Sequence, residues 1–332
     1  MDTEVSAASQ ELKGGGVVVL PTETVYGLAA NALDVEAVRK IFIIKGRPLN
    51  NPLILHVLDS SWLKRYTHAE KYSTRVAKIT DAFWPGPITI ILPKKEIIPN
   101  IVTSGFDTVA VRCPDHSLFR EVLRASDLPL AAPSANPFGY VSPTSLRQVK
   151  ATIGNKIKIM LDGGECAVGL ESTIVDITCP IPKILRPGAI IADAISKVLG
   201  ENVIDYHTQI VSKSPNTPGQ LKQHYCTNTR LILFEYGHRK FSQNPVGRTV
   251  ILFMQKPKNL RRIAKNLQFP IEEIFWFSDD GNPNVIAKNL FSMLQQLDSA
   301  QYDTILCERP LREGIGIAID DRLLRAAAKF NG

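Results

Sequence analysis

The chain has 332 residues, 44% apolar and 21% charged, which is the balance of a globular protein with room for two cores. No apolar run approaches the ~20 residues needed to span a bilayer, so no membrane association is expected. The net charge of +7 suits either a polyanionic partner or basic groups gathered around phosphates, and charge alone does not choose between them.

Five scattered cysteines, Cys113, Cys166, Cys179, Cys226 and Cys307, form no C-x-x-C pair. Neither a zinc site nor a disulfide framework is expected, and a reducing cytoplasmic setting fits. The polar start, with Asp2 and Glu4, is unlike an export signal.

Taken in chain order, Val17 to Leu20, Leu53 to Val57, Ile88 to Leu92, Val109 to Val111, Leu130 to Ala132, Ile157 to Leu161 and Thr173 to Ile177 read as strands. Between the first two, Asp34 can cap a helix whose Val35, Val38, Ile41 and Phe42 share a face. A second helix spans Ser117 to Arg124, with Leu118, Val122 and Leu123 inward. Strands interleaved with helices predict an α/β domain over residues 1–205. The pattern lapses over 206–229, where Ser212, Ser214, Pro215, Asn216, Pro218 and Gly219 predict a linker.

Residues 230–332 resume with strands at Arg230 to Phe234, Val250 to Phe253, Glu273 to Phe277 and Thr304 to Leu306. A helix at Ile286 to Leu297 intervenes, giving a smaller Rossmann-like βα domain. It has no G-x-G-x-x-G fingerprint, so no nucleotide of its own is assigned to it. The densest basic stretch, Lys256 to Lys265, reads as the outer face of a helix here.

Polar clusters gather at strand edges in the first half. Pro21-Thr22-Glu23-Thr24-Val25-Tyr26-Gly27-Leu28 follows a strand, where ligand loops of α/β sheets lie; its two hydroxyls, carboxylate and phenol suit a small zwitterion, and a surface turn reads equally well. Lys45-Gly46-Arg47-Pro48, with Asn50-Asn51-Pro52 behind it, offers a point charge and a bidentate fork to a polyphosphate. Cations at a helix C-terminus are also favoured by the helix dipole. His56 ends a strand in either a structural or a functional role.

Thr108 and Arg112 lie four apart on one strand face. An arginine in an apolar strand needs an anionic partner, either a substrate carboxylate or an internal acid. Pro133-Ser134-Ala135-Asn136-Pro137, Ser142-Pro143-Thr144, Gly169-Leu170-Glu171-Ser172-Thr173 and Leu185-Arg186-Pro187-Gly188 complete the series.

The ordered motifs PTETVYGL, KGRP with NNPL and a strand-end histidine, DTVAVR, APSAN, SPT, GLESTI and LRPG resemble the YrdC-like threonylcarbamoyl-AMP synthases over residues 14–190. His224-Tyr225 and Glu313 to Arg322 resemble the long, two-domain form. The resemblance implies a twisted, open mixed sheet around a large basic cavity, with the linker gating it. It implies an enzyme that converts L-threonine, bicarbonate and ATP into threonylcarbamoyl-AMP and pyrophosphate.

By resemblance Lys45 and Arg47 are catalytic, and Thr24, His56, Arg112, Ala132 and Ser172 hold threonine. Arg47, Asn51, Thr108, Ser134, Asn136, Ser142, Arg186, His224 and Tyr225 hold ATP. Mg²⁺ comes bound through ATP, with no protein metal site, and the product passes to a tRNA threonylcarbamoyl transferase. Lys222 and Cys226-Thr227 depart from the long-form pattern, and the stretch before Gly14 is short for a first helix. The alternative is a non-catalytic protein binding double-stranded RNA or the ribosome through its charge; weak RNA binding is compatible with the enzyme as well.

Overall fold

The computed structural model describes residues 3–205, 223–235, 245–267 and 269–330. Residues 206–222 of the predicted linker, Lys222 included, lie outside the described residues. The chain divides into two compact units. The first comprises Met1–Phe138, Ser142–Ala167 and Glu171–Leu221; the second comprises Gly139–Val141, Val168–Leu170 and Lys222–Gly332.

The first unit opens with helix α1, Thr3–Lys13, which buries Val5, Ala8 and Leu12 along one stripe. Three turns therefore fit in a stretch that reads as short in the sequence. The nine strands are β1 Val17–Leu20, β2 Gly27–Asn31, β3 Ile54–His56, β4 Ile88–Pro93, β5 Thr108–Arg112, β6 Leu130–Ala131, β7 Ile159–Met160, β8 Thr173–Asp176 and β9 Lys183–Arg186. They form one sheet in the order β7-β1-β2-β6-β3-β5-β4-β8-β9. Pairs β7/β1, β3/β5 and β4/β8 are parallel and the others antiparallel, so the sheet is mixed.

Strand β2 is an addition to the sequence reading, and β9 ends at Arg186 as the Leu185-Arg186-Pro187-Gly188 motif implies. Gly27-Leu28-Ala29-Ala30-Asn31 has poor intrinsic strand propensity and forms because β1 and β6 flank it.

The remaining helices of this unit are α2 Val35–Lys45, α3 Leu63–Tyr66, α4 Ser73–Phe83, α5 Asn100–Thr103, α6 Ser117–Ser126, α7 Leu146–Thr152 and α8 Ala192–Leu199. Asp34 caps α2 by accepting from the backbone N–H groups of Glu36 and Ala37. Val35 is 40% exposed, so the buried stripe begins at Ala37 and Val38 instead. Leu118 in α6 is half-buried, and Phe119 fills the core position beside it.

Alternation along the central strands separates two faces. Leu55, Ile88, Ile90, Val109, Val111 and Val175 join the main core, together with Val76 and Ile79 of α4 and Ile195 and Leu199 of α8. On the other face Ile54, Ile91, Ala110 and Ile174, with Leu185 against them, form a small separate apolar floor.

The second unit is a parallel sheet of β10 Arg230–Phe234, β11 Thr249–Gln255, β12 Ile274–Ser278 and β13 Thr304–Glu308, in the order β10-β13-β11-β12. Helices α9 Leu260–Leu267, α10 Pro283–Ser299 and α11 Gly316–Ala327 accompany it. Only Arg261, Arg262 and Lys265 of the basic stretch lie on α9; Lys256 and Lys258 precede it. A cavity of about 220 Å³ opens where β11 and β13 end, lined by Met254, Gln255, Pro283, Ile286, Leu311 and Ile319.

Candidate active site

Lys45 is the last residue of α2, and the chain turns immediately after it because Gly46 takes the left-handed conformation at φ 64°. The turn aims the Lys45 ammonium back into the fold. There Nζ donates to the carbonyls of Ser134 at 2.6 Å and Asn136 at 2.5 Å. Burial first, and Arg47 second, push the Lys45 ammonium well below its ordinary value. The Arg47 fork is used differently. Nε donates to Asn51 O at 3.0 Å, and Nη2 donates to Asn51 Oδ1 at 2.7 Å and Pro52 O at 2.8 Å. Asn51 thereby keeps its Nδ2, buried and without a partner, as a donor.

The loop carrying Ser134 and Asn136 also grips the PTETVYGL segment. Leu28 N donates to Pro133 O at 2.8 Å, and Ala135 N to Tyr26 O at 2.8 Å. Tyr26 is anchored through its hydroxyl, which donates to Gly164 O at 2.7 Å. Within the segment, the Thr22 hydroxyl accepts from the backbone N–H of Thr24 and Val25 and donates to Val25 O. It also lies 2.9 Å from the Thr24 hydroxyl. Ala132 spends its N–H on Ile54 O at 3.1 Å, so any ligand contact there falls to its carbonyl.

Strand pairing sets His56 beside Arg112 across β3 and β5, and Thr89 beside Arg112 across β4 and β5. Thr108 starts β5 on the face that carries Ala110 and Arg112. Arg112 meets an internal acid: its Nη2 lies 2.7 Å from Glu23 Oε2, with the two side chains 4% and 9% exposed. Burial, reinforced by the Arg112 guanidinium, drives the His56 imidazole down from 6.5 to about 3, so it is neutral at ordinary pH. Its ring rests 5.2 Å from that of Phe119.

On the far side, Thr89 Oγ1 bonds Ser172 Oγ at 2.7 Å. Arg186 donates to Ser172 O through Nε at 3.0 Å and through Nη2 at 2.8 Å, and to Ser172 Oγ at 3.0 Å. A bulge aims Arg186. It pairs with Ile174 while Ile184 pairs with Val175, so Leu185 is the extra residue. The bulge turns both Leu185 and Arg186 onto the face of the small apolar floor. Ser142 is engaged elsewhere, donating to Glu171 Oε1 at 2.6 Å.

Glu23, Asn51, His56 and Arg112 each keep a buried polar atom without a well-aligned hydrogen bond. Such atoms are rare in folded interiors, and here four residues within or beside the sequence motifs carry them. The sequence names the Glu23 carboxylate only as one polar group of its segment and gives no individual role to Glu23, Thr89 or Glu171. Thr89 had a signal in being the one polar residue inside Ile88-Thr89-Ile90-Ile91-Leu92, and Glu23 in lying between two threonines.

His224 and Tyr225 belong to the second unit. Tyr225 stacks on Phe291 at 5.5 Å, and the Arg322 guanidinium lies 5.3 Å from its ring. The ring of His224 is 4.1 Å from that of Tyr225. The acids near the C-terminus serve the fold: Asp320 takes both arms of Arg309 at 2.8 Å, and Asp321 takes Arg322 at 2.9 Å and Arg325 at 3.0 Å. Among the described residues no group of three His, Cys, Asp or Glu side chains could hold a metal, and no helix is long and apolar enough to cross a membrane.

Two family models cover the chain: one described as "Telomere recombination", the Sua5–YciO–YrdC model, over residues 10–188, and one described as "Threonylcarbamoyl-AMP synthase, C-terminal domain" over residues 190–328. A threonylcarbamoyl-AMP synthase of Pyrococcus abyssi is 38% identical over 98% of this chain and 94% of its own length. The protein of that name from Bacillus subtilis is 35% identical over 98% and 93%.

Among solved structures, a Pyrococcus abyssi Sua5 variant with a histidine and a tyrosine replaced by alanine matches with a TM-score of 0.85 at 33% identity. The match covers 97% of this chain and 92% of that one. Pyrococcus abyssi Sua5 complexed with L-threonine matches with a TM-score of 0.82 at 34% identity, over 97% and 94%. The chain belongs to the Sua5–YciO–YrdC family, in its two-domain threonylcarbamoyl-AMP synthase form.

Proposed function

We propose that this protein condenses L-threonine, bicarbonate and ATP into threonylcarbamoyl-AMP with release of pyrophosphate, supplying tRNA modification in the cytoplasm. One observation carries the reading. Lys45 is tied to the Ser134–Asn136 loop, Ala132 before that loop is bonded to β3, strand register sets His56 and Thr89 beside Arg112, and Thr89 bonds Ser172, which holds Arg186. A purely electrostatic RNA surface would expose its cations. Lys45, Arg47, Arg112 and Arg186 are all buried and locked by named acceptors. The non-catalytic alternative accounts for the net charge and leaves this arrangement without a purpose.

In this reading Arg112 takes the threonine carboxylate, and neutral His56, Thr24 and Ser172 offer polar groups around the rest of the amino acid. Asn51, Thr108, Ser134, Asn136, Ser142 and Arg186 border the nucleotide. Threonine's amine and bicarbonate give a carbamate, one of whose oxygens attacks the α-phosphate as pyrophosphate departs. Little covalent work remains for the protein, so orientation and charge neutralisation dominate. Lys45 and Arg47 present donors whose positions are already fixed, which spares reorganisation as charge builds on the phosphates. Mg²⁺, carried on the phosphate oxygens, would supply further charge shielding. The product would pass to a tRNA threonylcarbamoyl transferase.

Mass spectrometry of a mixture of the protein with L-threonine, bicarbonate, ATP and Mg²⁺ tests the reading. A threonylcarbamoyl-adenylate ion and equimolar pyrophosphate are expected. Pyrophosphate release that is indifferent to threonine would refute it.

A further inference from the structure

Glu23 supplies a negative charge directly beside Arg112, inside the site, where the reaction itself does not call for one. Both of its carboxylate oxygens are closed to solvent, and neither accepts a well-aligned hydrogen bond; the ion pair at 2.7 Å is its contact. A buried carboxylate has about four acceptor positions to fill, so most of this one's capacity is unused. Nor is Glu23 needed to build its own turn, because the Thr22 hydroxyl closes that turn on Thr24 and Val25.

Charge balance narrows its purpose. A substrate carboxylate docking on Arg112 would leave two buried anions around one guanidinium, an unfavourable sum in a shielded site. An amino acid also brings an ammonium group, and four charges alternating in sign restore neutrality. We propose, resting on the amino-acid reading of this site, that Glu23 is the specificity-determining residue that pairs with the substrate's ammonium group while Arg112 takes its carboxylate. The site thereby selects a free zwitterionic amino acid.

The pairing also gives the reaction a direction. Carbamate formation, R–NH₃⁺ + HCO₃⁻ → R–NH–COO⁻ + H₂O + H⁺, replaces the cation facing Glu23 with an anion. Glu23 then repels the new carbamate and disfavours its staying where the ammonium was.

Calorimetry with L-threonine and with 3-hydroxybutanoate, which keeps the carboxylate and hydroxyl but lacks the amine, separates the possibilities. Wild type should bind threonine tighter than the analogue by about tenfold or more, the scale of a shielded charge pair. Glu23→Gln should bring that ratio close to one while ATP binding persists, and Glu23→Asp should keep part of it. If Glu23→Gln does not fold, the drop in ratio in Glu23→Asp carries the test. Equal weakening of both ligands, with the ratio preserved, would mean that Glu23 only props Arg112, and the proposal would be overturned. Failure of wild type to bind either compound would instead defeat the amino-acid reading itself.

Discussion

Arg112 and His56 are buried neighbours across two strands. The guanidinium is paired with Glu23 at 2.7 Å. The imidazole loses its charge, falling to about 3. Truncating Arg112 removes the group proposed for the threonine carboxylate and leaves Glu23 unpaired. Arg112→Ala should weaken threonine binding by about 30-fold or more, on the scale of 2–5 kcal/mol for breaking a buried charge pair, with ATP affinity nearly unchanged. Calorimetry with each ligand reads this, and equal loss of both would contradict the assignment.

For His56 the folded value lies below the unfolded 6.5, so folding favours the neutral ring. Its contribution is intact above pH 6.5 and is lost as pH falls toward 3. At about 1.4 kcal/mol per unit of pH, wild type should lose roughly 2 kcal/mol between pH 6.5 and 5 that His56→Gln does not lose. Urea unfolding of both proteins at the two pH values checks it; parallel losses would show that His56 ionises normally.

At the level of elements, backbone devices rather than propensities aim the site. The left-handed Gly46 turns Lys45 inward, and the bulge in β9 swings Arg186 onto the face that plain alternation would deny it. Gly188, two residues on, packs so closely that a β-carbon there would lie 2.4 Å from Thr173 N and 2.8 Å from the Ser172 carbonyl carbon. Gly188→Ala must therefore push the Ser172 segment away and loosen the bonds that Arg186 makes to it. The expected result is a ten- to hundredfold fall in kcat/KM, in line with a misplacement of about 1 Å, with only a few degrees lost in Tm. Steady-state kinetics alongside a thermal melt would show whether activity or stability suffers first.

On the scale of the whole molecule, the two units rest on different kinds of cohesion. The first has an extended apolar core, with a small separate apolar cluster on the other face of its central strands. In the second, helix α11 is tied down by acids: Asp320, 1% exposed, holds Arg309 bidentately and meets Arg312 at 3.2 Å. Removing one partner of such a pair strands the other charge. Asp320→Asn should cost about 3–5 kcal/mol. In calorimetric scanning it should lower a transition belonging to the second unit, with less effect on the first. A single transition shifted as a whole would mean that the units melt together.

The alternating strands, the capped helix α2, the parallel βα pattern of the second unit and the ordered motifs were legible in the sequence, because each depends on neighbours a few residues away. Period-2 burial and an Asp34 cap are local physics. What the tertiary structure alone decided was longer in range. Strand β2 exists because β1 and β6 flank a Gly-Ala-rich segment, Glu23 reaches Arg112 across 89 positions of chain, and Arg186 shares the face of Ile174 through a bulge visible only in its register. Charge pairing and strand register are settled by which segments the sheet brings side by side, and spacing along the chain does not encode that choice locally.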